Sequence, residues 1–276
     1  MRCSSLLSLL VSEIPKLIIF DLDNTLYDDI GAVKKALFIL KSENGYLSGM
    51  TVEDLFKKYY TMQSGIQERY MNGELTLDQI GLERFRKFIS ETGGPEDESE
   101  VSAIYERFNY LNVHFGRAVR GAKGLLGRLK RDHVIGIITN HIGHLQQRKI
   151  EKIGIGKYVD FVIAAYDVRM FKPDPEIFSL AMNYAGVSPD DAVMVGDSWE
   201  HDVKGAVSAG IRAVWLNRRR IENPGPGTAV EIRTFVPIHL AESAILQQLQ
   251  KYCHEKSVDN INSRDGTKST IIYNGD

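Results

Sequence analysis

The chain has 276 residues and a formal net charge of −2, and 43% of its residues are hydrophobic. This length suits one large α/β core, or a core with a smaller insert, and the near-neutral charge gives no reason to expect a nucleic acid or an anionic membrane as a partner. The only two cysteines, Cys3 and Cys253, lie near opposite ends, which indicates no disulfide framework and favours a reducing, cytoplasmic setting.

The two ends of the chain lack the patterns of a packed core. Near the start, the apolar stretch from Leu6 to Val11 is interrupted by Ser8 and is far shorter than the roughly 20 residues that span a bilayer. No small-residue cleavage site follows it. We expect residues 1–15 to form a loosely ordered leader. Residues 257–276 are polar and without periodicity, which predicts a disordered tail.

Short apolar runs, apolar on both faces, recur along the rest of the chain and alternate with segments of helical spacing. Runs of this kind are typical of buried strands in a parallel sheet. The helical segment that begins at Pro175 has Asp174 as its predicted N-cap. We therefore predict a doubly wound, Rossmann-like α/β core. The five predicted strands are Leu17–Phe20, Val134–Ile138, Phe161–Ala164, Ala192–Val195 and Ala213–Leu216.

The alternation is interrupted between the first and second predicted strands. More than a hundred residues lie there, and their apolar positions follow helical spacing, as in the run through Leu82, Phe85, Phe88 and Ile89. Glycine-containing stretches separate the helical patterns. We predict an all-helical cap over residues 30–115, inserted into a core formed by residues 16–29 and 116–256.

Polar side chains lie at the predicted carboxyl ends of these strands, where open parallel sheets bind ligands. A buried strand that runs into two aspartates is unfavourable unless a positive group lies nearby. A cluster of carboxylate oxygens suits Mg²⁺, which keeps several waters and shares ligands with a substrate phosphate. The sequence therefore predicts a Mg²⁺ site at this edge. The candidate residues for this metal site and for the phosphate that shares it are Asp21, Asp23, Thr139, Asn140, Lys172, Asp197 and Asp202.

Four segments in this order resemble the four motifs of the haloacid-dehalogenase-like (HAD) superfamily. They are DLDNT, ITN, KPDPEIF and GDSWEHD, and the helical insert matches the position of that family's cap after the first motif. Each motif alone is weak, whereas all four in register are specific. The region from Ile138 to Leu216 is most similar to phosphatases that act on small phosphorylated metabolites. The resemblance implies a Mg²⁺-dependent phosphomonoesterase.

The resemblance also implies roles for the two aspartates of the first motif. Asp21 is expected to be the nucleophile, which attacks phosphorus and forms an aspartyl phosphate. Asp23 is expected to protonate the leaving oxygen and then to deprotonate the water that hydrolyses the intermediate. The neighbouring Asp21 charge is expected to raise the pKa of Asp23, which favours its protonated form.

The metal ligands follow from the same resemblance. Mg²⁺ is expected to bind the Asp21 carboxylate, the Asp23 backbone carbonyl and Asp197, with waters and phosphate completing an octahedron. Asp202 is expected to orient a metal-bound water or Lys172. Thr139 and the backbone N–H of Asn140 are expected to hold phosphoryl oxygens, and Lys172 to supply the compensating charge.

Two further features lie outside the four motifs. The stretch ERYMNGEL is a candidate loop within the cap, where Arg69, Tyr70 and Asn72 would make substrate contacts. Trp199 follows the fourth predicted strand and is expected to be a lid-side or surface aromatic.

Other functions on the same scaffold stay open. A 2-haloacid dehalogenase displaces halide at carbon without a metal and needs neither an acid at Asp23 nor a carboxylate at Asp197. A phosphomutase uses the same core residues and differs in how its cap guards against water. A non-catalytic regulatory protein is expected to lack the nucleophile or a metal ligand. The expected partner is a small phosphorylated metabolite, and the chain is expected to be a monomer or a homodimer.

Overall fold

The computed structural model describes residues 16–62 and 64–249. The predicted leader, residues 1–15, and the predicted tail, residues 257–276, lie outside the described residues. Within the described residues, no helix is long and apolar enough to cross a bilayer.

The centre of the fold is a parallel sheet of six strands in the order β3-β2-β1-β4-β5-β6. The five strands predicted from apolar runs are confirmed, with end points that differ by at most one residue. The sixth was not predicted, because its three residues, VEI, are only partly buried and form no apolar run. The strands are β1 Leu17–Phe20, β2 Val134–Thr139, β3 Phe161–Ala164, β4 Ala192–Gly196, β5 Arg212–Leu216 and β6 Val230–Ile232.

Helices cover both faces of the sheet, as in a doubly wound α/β fold. The four residues of β1 are fully buried and alternate between the faces, so Leu17 and Ile19 join one apolar cluster and Ile18 and Phe20 the other. This double burial explains why the strand is continuously apolar. The helices that follow the cap are α6 Ala122–Leu129, α7 Gly143–Lys152, α8 Ala165–Val168, α9 Pro175–Ala185, α10 Lys204–Ser208 and α11, residues 238–249.

The start of α9 follows directly from its sequence. The Asp174 carboxylate accepts a hydrogen bond from the backbone N–H of Glu176, and Pro175 occupies the first helical position. The proline has no N–H to satisfy, and the aspartate satisfies one of the free donors of the first turn. The predicted N-cap is confirmed, and it fixes the end of the segment that carries Lys172.

Five α-helices lie between β1 and α6, and no strand occurs in the described part of this insert. Their aromatic and aliphatic residues, among them Phe85, Phe88 and Phe108, form a separate apolar cluster. This is the segment predicted as the cap, and we use that name for it; its boundaries at residues 30 and 115 stay a prediction. The cap helices are α1 Asp29–Glu43, α2 Val52–Thr61, α3 Ile66–Met71, α4 Leu77–Glu91 and α5 Glu98–Phe115.

Two local predictions are wrong. Arg69 and Tyr70 lie in α3 rather than on a loop, where Arg69 pairs with Glu83 and the Tyr70 hydroxyl donates to the backbone carbonyl of Tyr166. These contacts join α3 to α4 and to the core, so both side chains stabilise the packing of α3. Asn72 caps the end of the same helix. Trp199 is buried, with its ring edge-on to that of Trp215, and is not a surface residue.

Candidate active site

The carboxyl ends of three adjacent strands bring the predicted residues to one edge of the sheet. Asp21 follows the central strand β1, Thr139 ends β2 on one side, and Asp197 follows β4 on the other. The chain order reverses at β1, and such switch points leave a crevice where ligands bind. The backbone N–H of Asp21 donates to the carbonyl of Val195 at 2.9 Å, so the sheet pairing continues up to the first aspartate.

Lys172 is buried and binds two of the aspartates. Its Nζ donates to Asp21 Oδ1 at 2.8 Å and to Asp202 Oδ1 at 2.6 Å. The third bond goes to the backbone carbonyl of Ile138 at 2.9 Å. Burial alone would lower the pKa of Lys172, but the charges of Asp202 and Asp21 outweigh it and raise the pKa above its usual value. The ammonium group is therefore a fixed positive charge.

Asn140 positions this lysine through its backbone. The Asn140 side chain donates Nδ2–H to the Lys172 carbonyl at 2.7 Å and accepts the Lys172 backbone N–H on Oδ1 at 2.8 Å. This reciprocal pair ties the end of β2 to the segment that carries Lys172. The side chain of Asn140 thus has a positioning contact that the sequence did not predict, in addition to the backbone N–H expected to face phosphate.

The segment after β4 adds the remaining acidic groups. Oxygens of Asp21, Asp197 and Asp202 lie within 4.8 Å of one another. Asp202 packs against Gly196 so closely that a Cβ at that position would lie 2.2 Å from Asp202 Oδ2. Only glycine leaves room for this arrangement. Thr25 Oγ1 accepts the backbone N–H of Asp197 at 3.0 Å and fixes its position against the turn after β1.

The three carboxylates differ in how their oxygens are satisfied. Asp202 accepts Lys172 on Oδ1 and the Ser198 backbone N–H on Oδ2, so both oxygens have partners. Asp21 Oδ2 is buried without a hydrogen-bond partner among the described residues. Buried polar atoms are normally satisfied, so an unpaired carboxylate oxygen indicates that a bound group completes the site.

The electrostatics indicate that this group is a cation. Burial, and then the charge of Asp202, raise the pKa of Asp21 to about 7 against the opposing effect of Lys172. Burial, followed by the charges of Asp21 and Asp202, raises the pKa of Asp197 to about 8. The charges of Lys172 and Arg219 do not bring these pKa values back to the usual range, whereas a divalent cation bound by hard oxygen ligands would compensate the carboxylates. The residues present fit Mg²⁺.

Asp23 is held by two residues of α7 that the sequence analysis missed. Gln146 Nε2 donates to Asp23 Oδ2 and to Thr139 Oγ1, both at 2.7 Å. Lys149 Nζ donates to Asp23 Oδ1 at 2.6 Å. Burial raises the pKa of Asp23 in spite of the Lys149 charge. The three-residue spacing of Gln146 and Lys149 places them on one helix face, which was the available signal.

Lys149 also links the core to the cap. Its Nζ donates to Asp29 Oδ1 at 2.8 Å, and Asp29 is the first residue of α1. The hydroxyl of Tyr60, in α2, donates to Asp29 Oδ2 at 2.9 Å. Burial opposes ionisation of Asp29, but Lys149 and Tyr60 outweigh it and lower the pKa of Asp29. The ion pair thus joins Asp23 to the beginning of the cap.

A cavity of about 210 Å³ lies between these core residues and the cap. Asp21, Asp23 and Thr139 line its core side, and Tyr59 and Arg84 line its cap side. Its volume is below the roughly 300–1,000 Å³ of pockets that hold drug-sized ligands. The arrangement has the parts needed for group transfer to a carboxylate from a small anionic molecule.

The fold and the site define an α/β protein with an acidic, lysine-containing pocket at the switch point of its sheet. Residues 15–210 match the sequence model of the haloacid dehalogenase-like hydrolases. The chain belongs to the HAD-like hydrolase family, which confirms the resemblance drawn from its four motifs.

Two relatives of known activity cover most of the chain. The pyrimidine 5'-nucleotidase YjjG of Escherichia coli is 31% identical over 211 residues, which are 75% of this chain and 88% of that protein. Human N-acylneuraminate-9-phosphatase is 29% identical over 210 residues, which are 74% of this chain and 83% of that protein. By name, the first relative is a nucleotidase and the second is a phosphatase.

Solved structures share the same architecture. The HAD-hydrolase YfnB of Bacillus subtilis, in a crystal form bound to magnesium, superposes with a TM-score of 0.67 at 22% identity and covers 83% of this chain and 99% of its own. At this identity the likeness shows the fold alone. A 2-haloacid dehalogenase from Pseudomonas syringae pv. Tomato DC3000 gives 0.58 at 25% identity, covering 83% of this chain and all of its own.

Proposed function

We propose that this protein is a Mg²⁺-dependent phosphomonoesterase that hydrolyses a small phosphorylated metabolite through an aspartyl phosphate on Asp21. The observation that carries the proposal is the buried Asp21 carboxylate, which Lys172 fixes through Oδ1 while Oδ2 has no partner among the described residues. The nucleotidase and phosphatase relatives support a phosphate ester as the substrate.

Asp21 would attack phosphorus, forming the bond between its carboxylate oxygen and phosphorus as the ester oxygen leaves. A carboxylate is a weak nucleophile, so the rate must come from alignment and from neutralisation of charge on the phosphoryl oxygens. Lys172 Nζ fixes the Asp21 side chain in one orientation through its hydrogen bond to Oδ1. The Thr139 hydroxyl and the Asn140 backbone N–H would bind the phosphoryl oxygens.

Asp23 would transfer the protons of the reaction. It would give a proton to the leaving oxygen and then take one from the water that cleaves the aspartyl phosphate. Its raised pKa favours the protonated form needed for the first step. Gln146 and Lys149 hold one carboxylate oxygen each, so they set the direction in which Asp23 points.

The carboxylates of Asp21 and Asp197 and the backbone carbonyl of Asp23 would hold Mg²⁺. When bound, Mg²⁺ supplies the positive charge that neutralises these carboxylates and the phosphate oxygens. Asp202 would orient Lys172, because its two oxygens are already taken by Lys172 and the Ser198 backbone N–H.

We further propose that the protein acts in the cytoplasm as a monomer or a homodimer.

The proposal competes with dehalogenation, since dehalogenases share the fold. Displacement of halide at carbon needs no acid and no metal, so that chemistry leaves Asp23 and Asp197 without a task. Here Asp23 is held by two side chains, and Asp197 belongs to the acidic cluster. These two residues favour the phosphatase. A phosphomutase would use the same groups and would transfer the phosphoryl group to a second hydroxyl.

Metal removal tests the proposal. We expect the purified protein to hydrolyse p-nitrophenyl phosphate with Mg²⁺, to lose this activity in EDTA and to regain it when Mg²⁺ is added back. Asp197→Asn removes a charged ligand, so we expect it to raise the Mg²⁺ concentration for half-maximal activity by at least the roughly 10- to 100-fold that follows loss of a residue supporting a ligand. The same assays with 2-chloropropionate report halide release.

Asp132→Asn is the matched control, since the exposed Asp132 lies before β2, at the end of the sheet opposite to the site. We expect its Mg²⁺ requirement to equal that of the unaltered protein. Turnover that ignores EDTA, or release of chloride without phosphatase activity, would refute the proposal. An Asp197→Asn variant with an unchanged Mg²⁺ requirement would remove that residue from the ligand set.

A further inference from the structure

Arg84, in α4 of the cap, is a partly buried cation whose charge is not balanced by a carboxylate of the described chain. Its Nη2 donates to the backbone carbonyl of Tyr59 at 3.3 Å, and its guanidinium lies 4.0 Å from the centre of the Tyr59 ring. Its Nε is buried and has no hydrogen-bond acceptor among the described residues. A guanidinium has five N–H donors, so most of its hydrogen-bonding capacity is available to a ligand.

The lysines of the cavity region differ from Arg84 in this respect. Lys172 is bound by Asp21 and Asp202, and Lys149 is bound by Asp23 and Asp29. Arg148 also lines the cavity, but its side chain is exposed and water can hydrate it. Arg84 is therefore the partly buried cation that has the most to gain from an anion that enters the cavity.

The position of Arg84 places this charge at the same cavity as the catalytic groups. Arg84 and Asp21 both line the cavity of about 210 Å³. Burial, and then the charges of Lys149 and Arg84, lower the pKa of His141 to about 3, so this histidine is neutral at pH 7 and carries no charge that would compete for an anion. His141 directly follows Asn140, and both residues line the same cavity as Arg84.

We propose that Arg84 binds a carboxylate on the leaving group of the phosphoric monoester, so that the preferred substrate carries a second anionic group. The inference rests on the proposed phosphatase function and narrows its substrate class. A planar guanidinium matches a carboxylate through two parallel N–H···O bonds. The size of the cavity favours a small acyclic ester. The contact of the guanidinium with the Tyr59 ring restricts its motion and reduces the ordering needed on binding.

Matched pairs of substrates test the inference. Phosphoserine differs from phosphoethanolamine only by its carboxylate, and 3-phosphoglycerate has a carboxylate where glycerol 3-phosphate has a hydroxymethyl group. With Mg²⁺, we expect kcat/KM for the carboxylate-bearing member to be higher by about 10- to 100-fold in at least one pair, as for one charge-assisted pair. In Arg84→Gln, we expect this ratio to fall to within about threefold of one.

Two variants control for charge and for packing. Arg84→Lys keeps the charge without the planar fork, and we expect an intermediate ratio. Arg86→Gln alters an exposed arginine of the same helix, which pairs with Glu83 and Glu98, and we expect the full ratio to be retained. A role of Arg84 in packing alone would lower kcat/KM for both members of a pair and leave the ratio unchanged.

The outcomes separate the inference from the proposed function. If the protein does not hydrolyse p-nitrophenyl phosphate with Mg²⁺, the proposed function fails. If it does, but neither pair shows a preference for the carboxylate or no member of the pairs is turned over, the inference is overturned. Equal losses for both members of a pair in Arg84→Gln also overturn it, because the side chain then acts on the phosphoryl group or on the cap.

Discussion

Asp21→Asn is expected to lower kcat for p-nitrophenyl phosphate by three orders of magnitude or more. The amide keeps the shape of the side chain and can still accept the Lys172 hydrogen bond that now goes to Oδ1. It cannot form an acyl phosphate, because a neutral amide oxygen is a far poorer nucleophile than a carboxylate. Loss of a nucleophile usually removes almost all of the chemical acceleration. Steady-state kinetics at saturating Mg²⁺ measure the effect.

The control for this variant separates catalysis from folding. Circular dichroism and thermal unfolding are expected to show a folded Asp21→Asn protein. The substitution removes a carboxyl group whose ionisation is unfavourable in the fold, since its pKa is raised to about 7. Asp132→Asn makes the same chemical change at an exposed position before β2, at the opposite edge of the sheet, and is expected to keep full activity. Near-normal turnover by Asp21→Asn would remove Asp21 from its role.

Lys172→Met is expected to have the largest effect on stability. Lys172 is 3% exposed, and its Nζ is the charged partner of Asp21 and Asp202. Methionine nearly preserves the volume but leaves two buried carboxylates without compensation. Breaking a buried ion pair on one side typically costs about 3–5 kcal/mol. We expect a loss of this size in the free energy of unfolding, measured by urea denaturation without Mg²⁺.

A double variant tests the cause of this loss. In Lys172→Met combined with Asp202→Asn, one of the uncompensated charges is gone, so the combined loss should be smaller than the sum of the two single losses. Strict additivity would show that the charges are not coupled. Lys204→Met is the surface control: its pair with Glu200 is exposed and is expected to contribute less than about 0.5 kcal/mol.

The sheet was largely predictable because burial on both faces leaves a direct signature in the sequence. β1 to β5 are short and mainly apolar, and the four motif segments lie at or after the ends of β1 to β4. β6 has no such signature, because it is an outermost strand of the sheet and its residues are half-buried. Trp199 was expected to be a lid-side or surface aromatic, yet its ring packs against Trp215, which belongs to a different strand segment of the chain.

The supporting residues of the site were not predictable from local patterns. The helical spacing of Gln146 and Lys149 indicates a shared face, but what that face meets depends on how α7 packs against the end of β1. The same holds for Asp29, which reads as an ordinary acidic residue in the first turn of a helix. Its contacts to Lys149 and Tyr60 join parts of the chain separated by 120 and 31 positions.

The central claim is that Asp21 accepts the phosphoryl group, and chemical trapping tests it most directly. Sodium borohydride reduces an aspartyl phosphate to homoserine. When it is added during turnover of p-nitrophenyl phosphate with Mg²⁺, peptide mass spectrometry is predicted to find homoserine at position 21, and only when substrate is present. Hydrolysis that proceeds while Asp21 stays unmodified and another carboxylate is reduced would contradict the account.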